Sequence, residues 1–178
     1  MEQHNTSSIK RYFFDCEFRD TDETGFQIEF ISLGIVSEAG DELYCIDAAF
    51  KPESVDDAWL HDHVIRKLPS KEQWRSMDEI RAALMNFFEP AFEQEFWAKN
   101  GCYDHYILCR VFGGMGRFRD IMKAEKGTER ITFRDTNEVR RQRPNISLPM
   151  QPEREKHIAI NDARYEREIY NILTNSDE

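Results

Sequence analysis

No apolar run in the sequence approaches the roughly 20 residues needed to cross a bilayer as a helix, and the mean hydropathy of -0.71 excludes a chain embedded in membrane. CxxC pairs are absent as well. Cys16, Cys45, Cys102 and Cys109 stand at spacings that suit no metal site. Cys16 and Cys45 fall in strand-like runs, where a free thiol behaves as a small apolar residue, so a reduced, cytoplasmic protein is expected. The opening "MEQHNTSSIK" has no apolar segment behind a basic one and reads as a disordered lead-in over residues 1–10, not as a secretory signal. There is no internal repeat, no low-complexity segment and no composition break, so residues 11–174 are expected to form one domain, with a short tail at 175–178. A basic excess is also missing. The net charge of -10 speaks at first against a polyanionic partner.

Present instead are strand and helix patterns in a definite order. "RYFFDCEF" and the apolar run "FQIEFISLGIVSE" read as strands, and "ELYCIDAAF" returns as a third strand after "EAGDE", with Gly40 free to take a positive φ. The polar "RDTDETG" joins the first two. "SVDDAWLHDHVIRKL" is expected to be a helix capped by Ser54, and "MDEIRAALMNFFE" repeats Ile80, Leu84, Phe87 and Phe88 at amphipathic spacing. Next come a strand in "QEFWAKNG", helices in "YDHYILCRVFG" and "RFRDIMKAEKG", and a strand in "RITFRD". The proline-rich "RPNISLPMQPE" can only be a loop. A last helix, "NDARYEREIYNILTN", would be capped by Asn161 and would show Tyr165, Ile169, Ile172 and Leu173 on one face. Strands first, then alternating helix and strand, predict an α/β fold with a mixed sheet.

Within this pattern some acids stand where a packed element does not ask for them. Asp15 and Glu17 interrupt the aromatic run Tyr12, Phe13, Phe14, Phe18. In a strand they share a face, about 7 Å apart, which is costly unless something positive sits between them or the strand end reaches water. Asp104 opens a helix directly after a strand. His157 and Asp162 stand at the start of the last helix. Each alone reads as a capping acid or a surface histidine. Together, four carboxylates and one histidine are the set that a two-metal phosphodiesterase requires, and cations would explain why Asp15 and Glu17 can share a face.

In order and spacing, "FFDCEF", "WAKNGCYDHYIL" and "HIAINDAR" resemble the three motifs of the DEDDh exonuclease superfamily: D-x-E on an apolar strand, an Asp opening a helix, and H-x4-D running into a helix. "RYFFDCEF", "IEFISLGIVSE", "SVDDAW", "RKLP", "WRS" and "WAKNGCYDH" are similar to the small ribonuclease-T-like exoribonucleases of bacteria and phages, from about Arg11 to Leu173. Two positions depart from the common pattern. Phe18 stands where many relatives have a small hydroxyl residue, and Ser32 where relatives outside this branch often have Glu, with Glu29 nearby. The resemblance implies a ribonuclease-H-like fold, two divalent cations (Mg²⁺ or Mn²⁺), and 3'-5' removal of nucleotides from single-stranded ends. By the same resemblance, Asp15 bridges both ions, Glu17 and Asp162 complete one site, Asp104 holds the other, and His157 is the general base. RNA is the expected substrate and a homodimer the candidate assembly. A proofreading-type DNA exonuclease or a non-catalytic nucleic-acid-binding module on the same fold are the alternatives.

Other features compete for attention. His61 and His63 would lie two apart on a helix and point away from each other. "GGMG" at 113–116 follows a helix, not a strand, and His105 suits the site rim or packing. Phe18 is a candidate for stacking on a terminal base. Between Arg110 and Arg143 there are ten Lys/Arg against five Asp/Glu, a local balance of +5 inside an acidic chain. Arg117, Arg119, Lys123, Arg140, Arg141 and Arg143 are its densest part. They suit either a solvated face or a track for upstream phosphates, with Arg140 and Arg141 the named candidates.

Overall fold

The structure is a computed structural model that describes residues 8–20 and 27–175. Most of the expected lead-in, most of the turn "RDTDETG" and the end of the expected tail lie outside the described residues. Five strands form one sheet in the order β3-β2-β1-β4-β5. The strands are β1 (Ile9–Asp20), β2 (Ile28–Ser37), β3 (Glu42–Ile46), β4 (Glu93–Ala98) and β5 (Arg130–Asp135). The first three pair antiparallel, through the hairpin in which Gly40 takes φ 103°. β4 and β5 are added in parallel to β1, as in the mixed sheet expected of the ribonuclease-H-like class.

Strand alternation divides β1 between two faces. Tyr12, Phe14 and Cys16 point into the larger core, against Ile80, Leu84 and Phe88, the helix residues Ile107 and Leu108, and Phe118 and Met122. The helices behind that face are α2 (Met77–Phe87), α3 (Cys102–Val111) and α4 (Met115–Lys126). Phe13, Asp15 and Glu17 take the opposite face, which α6 (Ala159–Asn175) covers. Tyr170 of α6 packs on Phe13 and Trp97, with ring centroids 5.0 and 4.8 Å away. The first acid therefore follows directly after an aromatic floor.

Four local expectations are corrected. The segment from Ser54 to Leu68 is not one long helix: α1 covers only Ala58–His63 and is flanked by short 3-10 turns at Pro52–Ser54 and Ile65–Lys67. Asp57, not Ser54, caps α1. Its carboxylate accepts from Trp59 N–H and Leu60 N–H, which a residue three positions earlier cannot reach. Similarly, α6 begins at Ala159, so Asn161 lies inside the first turn, where its side chain accepts from Arg164. The inward stripe of α6 runs through Ala159, Ala163, Glu166, Ile169 and Leu173, while Tyr165 and Ile172 flank it half-buried. A further helix, α5 (Thr136–Gln142), was not expected. It starts where the Asp135 side chain accepts from Asn137 N–H.

Candidate active site

β4 pairs with β1 only as far as Phe13 opposite Trp97, and it ends at Ala98. Beyond that point β1 continues alone on its β4 side, leaving backbone donors without a strand partner. The next helix supplies one acceptor. Asp104, in the first turn of α3, accepts from Cys16 N–H at 2.8 Å through Oδ1. Gly101 allows this tight entry, since a Cβ there would lie 2.8 Å from Ala98 Cβ and from the His105 ring. The register of β1 against β2 then slips between Glu17 and Phe18, a bulge at the rim of the site.

The other wall depends on Gly34, the cross-strand partner of Asp15. A Cβ at Gly34 would lie 2.2 Å from Ile160 N and 2.3 Å from Ala159 C, so the start of α6 rests on bare β2 backbone. That approach sets Asp162 and His157 over Asp15 and Glu17. His157 precedes the helix with φ 57°, uncommon for a residue other than glycine. Its N–H donates to Asp162 Oδ2 at 2.8 Å, and Gln151 donates to the other oxygen. Trp59 of α1 meets the His157 ring edge to face at 4.9 Å, while Lys67 Nζ donates to the carbonyl of Lys156 at 2.6 Å. α1 and its following turn thus brace the loop that carries His157.

Glu17, Gln151, His157 and Asp162 line a cleft of about 700 Å³. Glu17, His157 and Asp162 each offer a ligand atom within 4.8 Å of the other two. Asp15 and Asp104 line the same cleft. Burial, together with the charges of Glu17 and Asp104, holds the Asp15 carboxyl well above the ordinary carboxylate range. Burial and the charges of Asp162 and Asp104 push Glu17 up to about 8. Asp104 rises to about 6 by burial, against the opposing hydrogen bond from Cys16. Asp162 is also raised by burial, and burial lowers the His157 imidazole, which favours its neutral form. Among the described residues no arginine or lysine forms an ion pair with Asp15, Glu17, Asp104 or Asp162. The donor set is hard oxygen with one imidazole, concentrated in a cleft that Lys99 and Lys156 also line without pairing to these acids, and it fits divalent cations.

All five residues singled out by the three motifs therefore come together. Phe18 lines the same cleft, packed against Tyr103 at 5.1 Å. Arg140 reaches the site differently. Its Nη2 donates to Glu166 Oε1 at 2.9 Å and its guanidinium lies over the Tyr165 ring, so its charge is already compensated. Arg141 is exposed. His61 Nε2 donates to the Val55 carbonyl at 2.7 Å, whereas His63 stacks on Trp59 with its ring 6.0 Å from His157. His105 is a packing residue between Phe14 and Phe133. Ser32 lies buried across from Glu17, and Glu29 pairs with Arg19 at 2.6 Å.

Sequence reasoning missed Glu166. It sits one turn after Asp162 on the inward stripe of α6, is nearly fully buried, lines the cleft, and accepts from Thr136 Oγ1–H as well as Arg140. Its spacing of four from Asp162 was a signal, but its partners come from α5, the helix that the pattern did not reveal.

Comparison with known proteins gives a consistent picture. The family described as the 3'-5' exoribonuclease Rv2179c-like domain matches residues 10–174. The Mycobacterium tuberculosis protein named 3'-5' exoribonuclease Rv2179c is 34% identical over 174 residues, covering 94% of this chain and 95% of that protein. Among solved structures, product-bound exonuclease I has a TM-score of 0.60 at 12% identity over 95% of this chain, which spans only 44% of that longer protein. The nuclease domain of 3'hExo, a DEDDh family member solved with rAMP, has a TM-score of 0.50 at 9% identity, covering 94% and 92% of the two chains. With nearly its whole described length inside the family's bounds, the chain belongs to the Rv2179c-like 3'-5' exoribonuclease family.

Proposed function

We propose that this protein is a metal-dependent 3'-5' exoribonuclease that removes nucleotides from single-stranded 3' ends. The observation that carries the reading is the cleft itself: Asp15, Glu17, Asp104 and Asp162 beside His157, with no arginine or lysine among the described residues ion-paired to any of the four acids. The family and the named relative support RNA as the substrate. Two divalent cations, Mg²⁺ or Mn²⁺, would be held by Asp15, Glu17, Asp104 and Asp162. When bound, such cations offset the clustered charge and polarise the oxygens of the scissile phosphate.

The chain's own groups then have separate tasks. His157, neutral at pH 7 because burial lowers its affinity for protons, accepts the proton of the attacking water at its ring nitrogen. The new P–O bond forms as the bond to the upstream 3' oxygen breaks, releasing one nucleoside 5'-monophosphate; the expelled 3' oxygen takes a proton from solvent to end as a hydroxyl, and the imidazolium returns its own proton to solvent. Trp59, the Lys67–Lys156 contact and the His157–Asp162 hydrogen bond keep that imidazole oriented. Phe18 would stack on the terminal base, and Arg141 remains a candidate phosphate contact.

The test uses single-stranded RNA and DNA, labelled at the 3' or the 5' end, with Mg²⁺, Mn²⁺ or EDTA. Immediate release of the 3' label as mononucleotide, a descending ladder from the 5' label, faster action on RNA, and silence in EDTA are expected. Full activity in EDTA would sink the metal mechanism, and faster DNA cleavage would assign the enzyme to DNA.

A further inference from the structure

α3 turns one side to the core and the other to two cavities. Tyr103, Tyr106 and Arg110 follow at spacings of three and four, which places them on one helix face. All three are exposed, whereas Asp104, Ile107, Leu108 and Val111 are buried. Tyr103 lines the acidic cleft. Tyr106 and Arg110 line a second cavity of about 690 Å³, together with Arg19, Phe30 and Arg81. No described residue lines both cavities, but Tyr103 of the first and Tyr106 of the second lie about one turn apart on α3, and Phe18 of the first and Arg19 of the second are consecutive on β1.

Tyr103 and Tyr106 leave 46% and 48% of their surface in water, on consecutive turns. Tyr103 packs on Phe18 at the cleft, and Tyr106 has no aromatic partner among the described residues. The cations are not equivalent. Arg19 is tied to Glu29 and to the carbonyl of Ser54, and Arg81 to Asp78 and the carbonyl of Val111. The Arg110 guanidinium has no ion pair or hydrogen bond among the described residues. Accessible rings in series, ending at an uncompensated cation and starting at the catalytic cleft, are the elements of a single-strand platform: bases stack on rings and phosphates meet fixed positive charge.

We infer that the strand upstream of the scissile nucleotide runs along this face of α3, with successive bases against Tyr103 and Tyr106 and a phosphate at Arg110. The inference rests on the exonuclease reading, but it places the upstream strand on α3 instead of on α5. It also accounts for polyanion binding by an acidic chain, because the contact needs one local free cation and two rings, not a basic surface.

Binding, separate from turnover, tests it. In an Asp15→Asn background that cannot cut, the affinities of a 5'-labelled RNA dinucleotide and decanucleotide are measured by fluorescence anisotropy over a range of salt. Tyr106→Ala should weaken the decanucleotide by roughly five- to a hundredfold, the range of one lost base stack, and the dinucleotide by less. Tyr106→Phe should restore most of the loss. Arg110→Glu should make the slope of log affinity against log salt shallower by about 0.7, one single-strand phosphate. Decanucleotide binding indifferent to Tyr106→Ala and Arg110→Glu overturns the path, as does a larger slope change from Arg141→Glu on α5. If those same substitutions, in a chain with Asp15 intact, still degrade 3' ends, the exonuclease reading survives the loss of this one.

Discussion

Two groups of acids, one at the start of β1 and β4 and one past the end of their pairing, are treated in opposite ways. Toward the start of β1 and β4, Glu95 accepts from Arg11 Nε at 2.8 Å and from Trp97 Nε1 at 3.1 Å. Its neighbour Glu93 accepts from Thr132 at 2.7 Å and from Arg130 at 3.2 Å. Each brings its own cation. Four residues further along β1 than Arg11, Asp15 begins a second group in which the nearest charges are mostly other carboxylates. Glu166 marks the boundary, since it lines the cleft yet carries Arg140. Like charges this close raise one another's proton affinity, and a fold keeps such an arrangement at a cost to stability. The comparison teaches that this chain can neutralise a buried acid with arginine where the acid is structural. The cleft acids are left to an external cation.

The largest effect should come from removing the charge at the centre of the unpaired group. Asp15→Asn should lower turnover by at least about 10³-fold, several kcal/mol of transition-state stabilisation, while raising the melting temperature measured in EDTA. A variant that is inactive and also less stable in EDTA would mean that Asp15 is a structural acid like Glu95. His157→Ala should slow the reaction by roughly 10²–10⁴-fold, read from single-turnover rates at neutral pH, and leave the gain in melting temperature with Mn²⁺ nearly intact. A wild-type rate in that variant would give the proton to another group.

Next in size is Gly34→Ala, which alters no cleft side chain but forces a Cβ into the backbone of Ala159 and Ile160. We expect a loss of about 3 kcal/mol or more, or a fall in melting temperature of roughly 6–12 °C, along with lost activity as α6 lifts from β2. An active, stable variant would show that α6 does not need its close seat on β2. The smallest effect belongs to the paired group. Arg11→Met should cost about 1–3 kcal/mol, by urea denaturation, and equally with and without Mg²⁺, because Glu95 is paired to arginine and does not line the cleft. A loss that Mg²⁺ repairs would blur the distinction between the two groups.

Much of this was legible before the fold was known, for reasons that differ between elements. Asp15, Glu17, Asp104, His157 and Asp162 were visible because each interrupts or opens a segment whose own periodicity does not call for it. The three-strand meander was visible because its apolar runs alternate and turn at Gly40. Glu166 was hidden, since one more acid on a charged helix is ordinary until Thr136 and Arg140 are seen to reach it. α5 was hidden by its length of seven residues and by "TNEVRRQ", a segment with almost no apolar face. The role of Gly34 depends on a close approach between residues far apart in the chain, which no local pattern records. The braced loop around His157 likewise depends on Trp59 and Lys67, whose segment looked like one continuous helix.

The central claim is that the cleft carboxylates are held together for cations. In the folded chain without metal, the affinities of Asp15, Glu17, Asp104 and Asp162 for protons are raised, so folding favours their protonated forms. Their full contribution to stability is present below the ordinary carboxylate range near pH 4. It is lost as pH rises through the folded values, up to about 8 for Glu17. The direct measurement is therefore the melting temperature in EDTA and in Mg²⁺ or Mn²⁺, from about pH 5 to 8.5, on the wild-type protein. The account predicts curves that diverge: in EDTA the melting temperature falls across that window and then levels off, while the metal removes most of the fall. Parallel curves, with no more stabilisation by metal at the alkaline end than at the acid end, would contradict it.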